Sequence, residues 1–354
     1  MDPIRNPFSP GAGTPPPELA GRQAILDKAH ILFERLKIRR SEKSFFFFFL
    51  LVFGKTLLLN EFHFLAEKSE YQSIFIEAHE RKSMIALLLP PLRQLLFQLD
   101  RMKKFSEKVK KGLRVLKSFT ESIKLKYQDI EISLDIDPEI GTADSGDIEA
   151  DLPVLLESVA EAALEKKTAI AIIIDELQYL SEQEMSALIM AIHKIAQKQL
   201  PLALIGAGLP KSYAERLFDF PKVGPLEKPD AIAALAGPAN EQLVEFTPNA
   251  LEEIIKQTQG YPYFLQEWGY QSWNLAKQSP IDLSIIHQAT EVSLQRLDES
   301  FFRVRFDRLT PREKEYLYAL AILGNGAQRS GDVAEKLNVT PQAVAPIRNN
   351  LIKK

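Results

Sequence analysis

Cysteine is missing altogether from these 354 residues. Its absence excludes disulfides, thiolate metal sites and cysteine catalysis, and fits a reducing cytoplasm. Histidine is sparse: His30, His63, His79, His193 and His287 are scattered without metal-ligand spacing, so each reads as structural or exposed. The longest apolar run, Phe45 to Phe53, falls far short of the ~20 residues a membrane-crossing helix needs, so no membrane partner is expected. Met1 to Pro17 is rich in Pro and Gly instead of apolar, which gives no signal peptide and suggests a flexible arm. Charge of one sign is also lacking. A net charge of −3 offers no broad attraction to nucleic acid, so any DNA contact must come from a local basic patch. With 45% hydrophobic and 26% charged residues, the chain has ordinary globular composition and room for two or three domains.

Against this background one stretch stands out, Ala169-Ile170-Ala171-Ile172-Ile173-Ile174-Asp175-Glu176. Its apolar, mostly β-branched residues predict a fully buried strand. Two carboxylates sit where that strand leaves the sheet, and burial of a carboxylate is costly unless a cation or reacting water lies nearby. Upstream, Gly54-Lys55-Thr56 has the form of the end of a phosphate-binding loop, opening a helix after another apolar strand. Together they predict a Mg-nucleotide site. Thr56 and Asp175 hold the metal, Gly54 and Lys55 the phosphates, and Glu176 orients water.

The loop departs from that pattern. Phosphate loops need glycine because successive backbone N–H groups turn toward the ligand through positive φ angles. Here the positions before Gly54 read Phe49-Leu50-Leu51-Val52-Phe53, and bulky residues in the left-handed region cost ~1–2 kcal/mol each. Either the loop has lost its grip, or the phenylalanine run is not the natural sequence. The second is favoured because the rest of the site is intact.

Along the chain, helical spacing follows Arg22, and Leu57 to Ala66 continues the helix opened by the loop. Tyr71 to Glu77 alternates as a strand. Arg101 to Ser118 predicts an amphipathic helix, with Phe105, Val109, Leu113 and Leu116 on one face. Its other face carries Lys103, Lys104, Lys108, Lys110, Lys111, Arg114 and Lys117, either solvated or turned to nucleic-acid phosphate. Ile123 to Ile136 alternates about Gln128-Asp129, which predicts an inserted β-hairpin (insert about 101–137), and an acidic loop follows over 138–151. Leu152 to Lys166 is helical, Ser181 with Glu184 forms a capping box for the next helix, and Leu202 to Gly208 is another buried strand. Strands alternating with helices predict a parallel α/β sheet over 18–225. From Glu227 onward only helices are expected, forming a lid over 226–305.

The last segment, 306–354, predicts three short helices. Thr310-Pro311-Arg312-Glu313 caps the first, Ser330 to Leu337 forms the second, and Thr340-Pro341 opens the third. A tight second turn gives a helix-turn-helix of winged type, in which Gln342, Arg348, Asn349, Lys353 and Lys354 face DNA. The β-wing that would normally follow is not expected in a chain ending at Lys354. A mid-helix proline costs ~3 kcal/mol, so the third helix is expected to start late, with Pro346 in its first turn.

With Glu18-Leu19-Ala20-Gly21-Arg22, Gly54-Lys55-Thr56, Ile174-Asp175-Glu176-Leu177-Gln178-Tyr179-Leu180, Lys211 to Phe218 and Gly260-Tyr261-Pro262 in this order, nearly the whole chain resembles a known group. It is similar to the prokaryotic AAA+/STAND-type P-loop ATPases related to origin-recognition-like replication initiators. That resemblance implies ATP/ADP and Mg²⁺ as ligands. Leu19, Gly21 and Arg22 would flank adenine, Pro262 would pack near the base, and Lys55 would meet the β/γ-phosphates. Arg216 would be an arginine finger offered to a neighbouring subunit, although a surface ion pair is the plainer role for it. The chain departs from the group at the loop glycines, at Gly206, where many members place a polar sensor residue, and in a shorter connection between Pro210 and Lys211.

The expected protein is therefore an α/β P-loop core of AAA+ type with a helical lid and a winged-helix-like C-terminal domain. Its expected function is a cytoplasmic ATPase acting as a nucleotide-dependent switch that engages DNA, self-assembles or meets a protein partner. The competing expectation is a non-hydrolysing nucleotide-binding scaffold that docks a protein. A small-molecule P-loop kinase is disfavoured because no acceptor-pocket motif is present.

Overall fold

Two apolar runs meet in the middle of one sheet. In the computed structural model, which describes residues 1–11, 20–40, 42–48, 55–101, 106–123, 134–208, 218–221, 223–324 and 326–353, five parallel strands lie in the order β2-β3-β4-β1-β5. They are β1 (Ser44–Phe48), β2 (Tyr71–Glu77), β3 (Ala169–Asp175), β4 (Leu202–Gly208) and β5 (Phe218–Asp219). Every residue of β3 is buried, because helices cover both faces of a parallel sheet. Period-2 alternation sends Ile170, Ile172 and Ile174 into one core and Ala169, Ala171 and Ile173 into the other. The phenylalanine run obeys the same rule. Phe46 enters the first core and stacks on Phe218 with ring centroids 3.8 Å apart, while Phe45 and Phe47 enter the second against Phe62.

The helices of the core region are α1 (Gln23–Lys37), α2 (Lys55–Lys68), α3 (Met84–Arg101), α4 (Glu107–Ile123), α5 (Ile148–Glu165) and α6 (Glu182–Gln197). The Ser181–Glu184 capping box forms as expected at the start of α6. Helix α3 is not anticipated by the sequence patterns, since Pro90 and Pro91 lie inside it. Its Met84, Ile85, Leu88, Leu92, Leu95 and Leu99 are all buried, and that apolar stripe offsets the proline penalty of ~3 kcal/mol. Glu184 also accepts from Met84 N at 2.7 Å, satisfying a donor in the first turn of α3.

One expectation is corrected in this region. Helix α4 runs from Glu107 to Ile123, so Ile123 ends a helix instead of opening a hairpin. The hairpin's residues 124–133 lie outside the described residues. On the basic face, Lys108 pairs with Glu161, Arg114 with Glu139 at 2.6 Å and Lys117 with Glu121 at 3.1 Å. Three of the seven basic residues named on that face are thus ion-paired within the chain, and Lys103 and Lys104 lie outside the described residues.

Helices α7 (Lys228–Glu241), α8 (Pro248–Thr258), α9 (Pro262–Leu275) and α10 (Leu283–Leu297) enclose a third core around Leu235, Ile254, Leu265 and Trp268. Residues 1–11 pack against this core and are not a free arm, while 12–17 of the expected arm lie outside the described residues. Phe8 is 1% exposed, packed where Gly269 leaves no Cβ. Asn6 Nδ2 donates to Tyr270 O at 3.1 Å, and Trp273 Nε1 donates to Asp2 O at 2.9 Å. A π-helical turn, Asp298–Phe302, and α11 (Arg303–Asp307) lead to the last unit. There α12 (Pro311–Ile322), α13 (Ser330–Lys336) and α14 (Pro341–Lys353) share a small core of Tyr316, Ala319, Val333, Ala334 and Val344. Helix α14 spans Pro341–Lys353 with Pro346 inside it instead of starting late. Val344, Ile347 and Leu351 hold it to its neighbours, and the proline ring lies on the exposed side.

Among the described residues, no helix is long and apolar enough to cross a membrane.

Candidate nucleotide site

Because β4 separates β1 from β3, the start of α2 and the end of β3 flank the tip of β4. Crevices at the carboxyl ends of parallel strands are where such sheets place ligands. Lys55, the first residue of α2, is buried there with its Nζ 3.0 Å from Asp175 Oδ1 and in an ion pair with Glu176 Oε1. Thr56, exposed beside it, donates through Oγ1 to Asp175 Oδ2 at 3.0 Å. Asp175 is held from the backbone side as well, since Glu176 N donates to its Oδ1 at 2.7 Å. A buried ammonium is tolerated only when paired, and here one ammonium serves two carboxylates.

Local backbone geometry fixes these orientations. Glu176 adopts φ 60°, ψ 43°, a left-handed conformation costing a non-glycine residue ~1–2 kcal/mol. This kink turns the chain into a 3₁₀ turn over Leu177–Tyr179, whose Leu177 folds back over β4. A Cβ built on Gly206 would stand 2.5 Å from Leu177 Cδ1 and 2.8 Å from the Phe46 ring. Leu177 and Phe46 occupy the space that a side chain at this position would enter, so a polar sensor there would require both to move.

The donor set suits a hard cation with phosphate. A hydroxyl and a carboxylate oxygen converge at Thr56 and Asp175, and magnesium takes oxygen ligands. Lys55 supplies the positive charge at a helix N-terminus.

A second group lies at the seam between core and lid. Gly21 (φ +69°) approaches so closely that an added Cβ would be 2.7 Å from Asp230 Oδ2 of α7. Arg22 Nη2 donates to Gly224 O at 2.6 Å, and burial lowers the guanidinium pKa while Asp230 opposes that shift. Leu226 touches the same Gly21 position and donates its N to Gly260 O at 2.8 Å, immediately before Tyr261 caps the helix that Pro262 opens. Gly21, Arg22 and the Pro262 turn are thus gathered around Leu226 and Asp230.

Of the remaining expected site residues, Leu19, Gly54 and Arg216 lie outside the described residues. Gln342, Arg348 and Asn349 are exposed along α14, and Lys353 is in its last turn. Sequence reasoning missed two participants. Asp230 carried no signal, being 208 residues from its partner Arg22 (230 minus 22). Gln178, whose Nε2 donates to Glu176 Oε2, stands in the quoted motif but had no assigned role.

Comparison with known proteins adds the following. A family model described as "Domain of unknown function (DUF8462)" matches residues 299–354. Among curated proteins none matches the sequence. Among solved structures, the chain is similar to the Walker-type ATPase PABY2304 of Pyrococcus abyssi, with TM-score 0.55 and 16% identity over 97% of this chain and 92% of that one. It is also similar to the Thermotoga maritima RuvB Holliday junction branch migration motor, with TM-score 0.47 and 15% identity over 94% and 87% of the two chains. The Aeropyrum pernix Orc1 protein, solved in complex with DNA, gives TM-score 0.46 and 14% identity over 95% and 84%. The first likeness, with the parallel sheet order above, shows the fold: an α/β architecture built on a five-stranded parallel sheet, as in that Walker-type ATPase.

Proposed function

We propose that this protein binds ATP and Mg²⁺ at the carboxyl end of β3 and hydrolyses the γ-phosphate as an AAA+/STAND-like switch. The observation that carries this reading is the bonded set Lys55–Asp175–Glu176 with Thr56 on Asp175. In it, Lys55 neutralises the β/γ-phosphates, while Thr56 and Asp175 hold the metal. Bound there, magnesium supplies charge neutralisation across the phosphate oxygens. Glu176 is the general base that takes a proton from the attacking water, a role worth ~10²–10⁴-fold in rate. Gly21, Arg22 and Pro262 border the base at the core–lid seam, so nucleotide binding bears on both parts at once. Leu19 and Gly54 complete the nucleotide contacts, and Arg216 acts in trans on a neighbouring copy in an assembled form.

The output is DNA engagement through α14, where Gln342, Arg348, Asn349 and Lys353 reach the duplex. A cytoplasmic location goes with this reading. A second reading, the non-hydrolysing scaffold that docks a protein partner, is favoured by one feature: Phe49 to Phe53 contains no glycine.

Magnesium-dependent ATP turnover by the full chain tests the choice. Wild type should turn over, and Glu176→Gln should fall by about 100-fold or more while still binding nucleotide. Equal, near-zero rates in both would sink the ATPase reading and leave the scaffold.

A further inference from the structure

We propose that Glu176 and a polyphosphate compete for Lys55, and that Gln178 is the positioning residue that sets Glu176 in that competition. The proposal rests on the nucleotide reading above and deepens it. Lys55 has three N–H donors, and two of them are engaged by Asp175 Oδ1 at 3.0 Å and by Glu176 Oε1. Asp175 is bound to its place by Thr56 and by the Glu176 amide, so it is not the partner that gives way. Glu176 is the solvent-facing one. Its side chain is 26% exposed, against 2% for Asp175.

What holds Glu176 on Lys55 is its other oxygen, which accepts from Gln178 Nε2. Gln178 is in turn braced by the fold. It sits in the 3₁₀ turn that follows the left-handed kink at Glu176, and its Oε1 is 2.9 Å from where a Cβ on Gly208 would stand. Only a strand tip without side chains lets the carboxamide lie there. Gln178 therefore acts through Glu176 and not on phosphate. A phosphate that takes Lys55 must first displace a carboxylate anchored at both oxygens, so the apparent affinity is reduced by the share of molecules in which the pair is intact. Once displaced, the same carboxylate is released toward water, which links occupancy by phosphate to availability of the base.

Equilibrium binding of a fluorescent ATP analogue, in EDTA and with the full chain, tests this without reference to turnover. Glu176→Gln should tighten binding about tenfold, within the range of ordinary site–site coupling, and Gln178→Met less, about threefold. The double variant should match Glu176→Gln alone, because Gln178 has no effect once its acceptor charge is gone. The proposal is overturned if Gln178→Met leaves the affinity unchanged, if its effect adds in full to that of Glu176→Gln, or if Glu176→Gln does not tighten binding. Where Gln178→Met does not fold, Gln178→Asn, whose shorter amide does not reach Glu176, should shift affinity in the same direction. Failure of wild type to bind the probe more tightly than Lys55→Ala does would instead remove the nucleotide reading itself, and the competition with it.

Discussion

At the end of β3, Lys55 and Asp175 are buried and bonded to each other, whereas on α14 Gln342, Arg348 and Asn349 stand exposed around a core of five buried residues. The two regions spend their polar groups differently. In the first, desolvation makes every partner obligatory, and that pairing is the observation on which the proposed nucleotide site rests. In the second, water satisfies each group, and position alone distinguishes a DNA-reading residue from a solvated one. A function can be argued from pairing in the sheet crevice. On the helical module it must be argued from what a titration with DNA shows.

The sharpest way to break the contrast is Lys55→Ala. Removing the ammonium leaves Asp175 and Glu176 as unpaired neighbours, so unfolding free energy should drop by about 3 kcal/mol alongside loss of nucleotide binding. Urea denaturation at neutral pH reads the first effect, and a stability change below 1 kcal/mol would deny that the pairing is obligatory. Phe8→Ala extends the comparison to the lid. Truncating a ring that is 1% exposed should cost about 3–4 kcal/mol, seen as a lower midpoint of thermal unfolding. A free arm would show no change.

Arg348→Ala addresses the exposed side. Stability should stay within about 0.5 kcal/mol. The logarithmic salt dependence of DNA binding by the full chain should lose about one unit of slope. Unaltered binding returns α14 to a packing role.

The smallest effect is expected at Glu157, which sits between Lys194 and Lys198 where α5 meets α6. Burial pushes its carboxyl pKa up, but hydrogen bonds from Lys198 and Lys194 outweigh that and hold it below the ordinary value. A lowered folded-state pKa means the stabilisation is complete above the usual carboxylate range and is lost as pH falls through the folded value. The Tm gap between wild type and Glu157→Gln should therefore be present at neutral pH and close on acidification. A gap that widens on acidification would contradict the sign.

Much of the fold was legible because periodicity is local. The isoleucine run, the Ser181–Glu184 box and the Thr310-Pro311 helix start all report on neighbours within a few residues. Proline signals were misleading for the same reason. At Pro90, Pro91 and Pro346 the local penalty is real, but buried leucines in α3 and Val344 in α14 outweigh it from outside the window. Strand β5, only two residues long, offered no pattern to detect. In the candidate site, residue types and their order were readable, while their partners were not.

Residue chemistry was decided by the sequence alone: a lysine and threonine opening one helix, an acidic couplet closing one buried strand, no thiol, and basic residues spaced along a terminal helix. Tertiary structure decided which of them meet. It bonded Lys55 to carboxylates 120 and 121 positions away (175 minus 55 and 176 minus 55), laid Leu177 over Gly206, pinned residues 1–11 to α9, and paired Lys108 and Arg114 of α4 with acids from other segments. The physical reason is that hydrogen bonds, ion pairs and close packing act over a few ångströms in space, and separation along the chain leaves no periodic trace of who the neighbour will be.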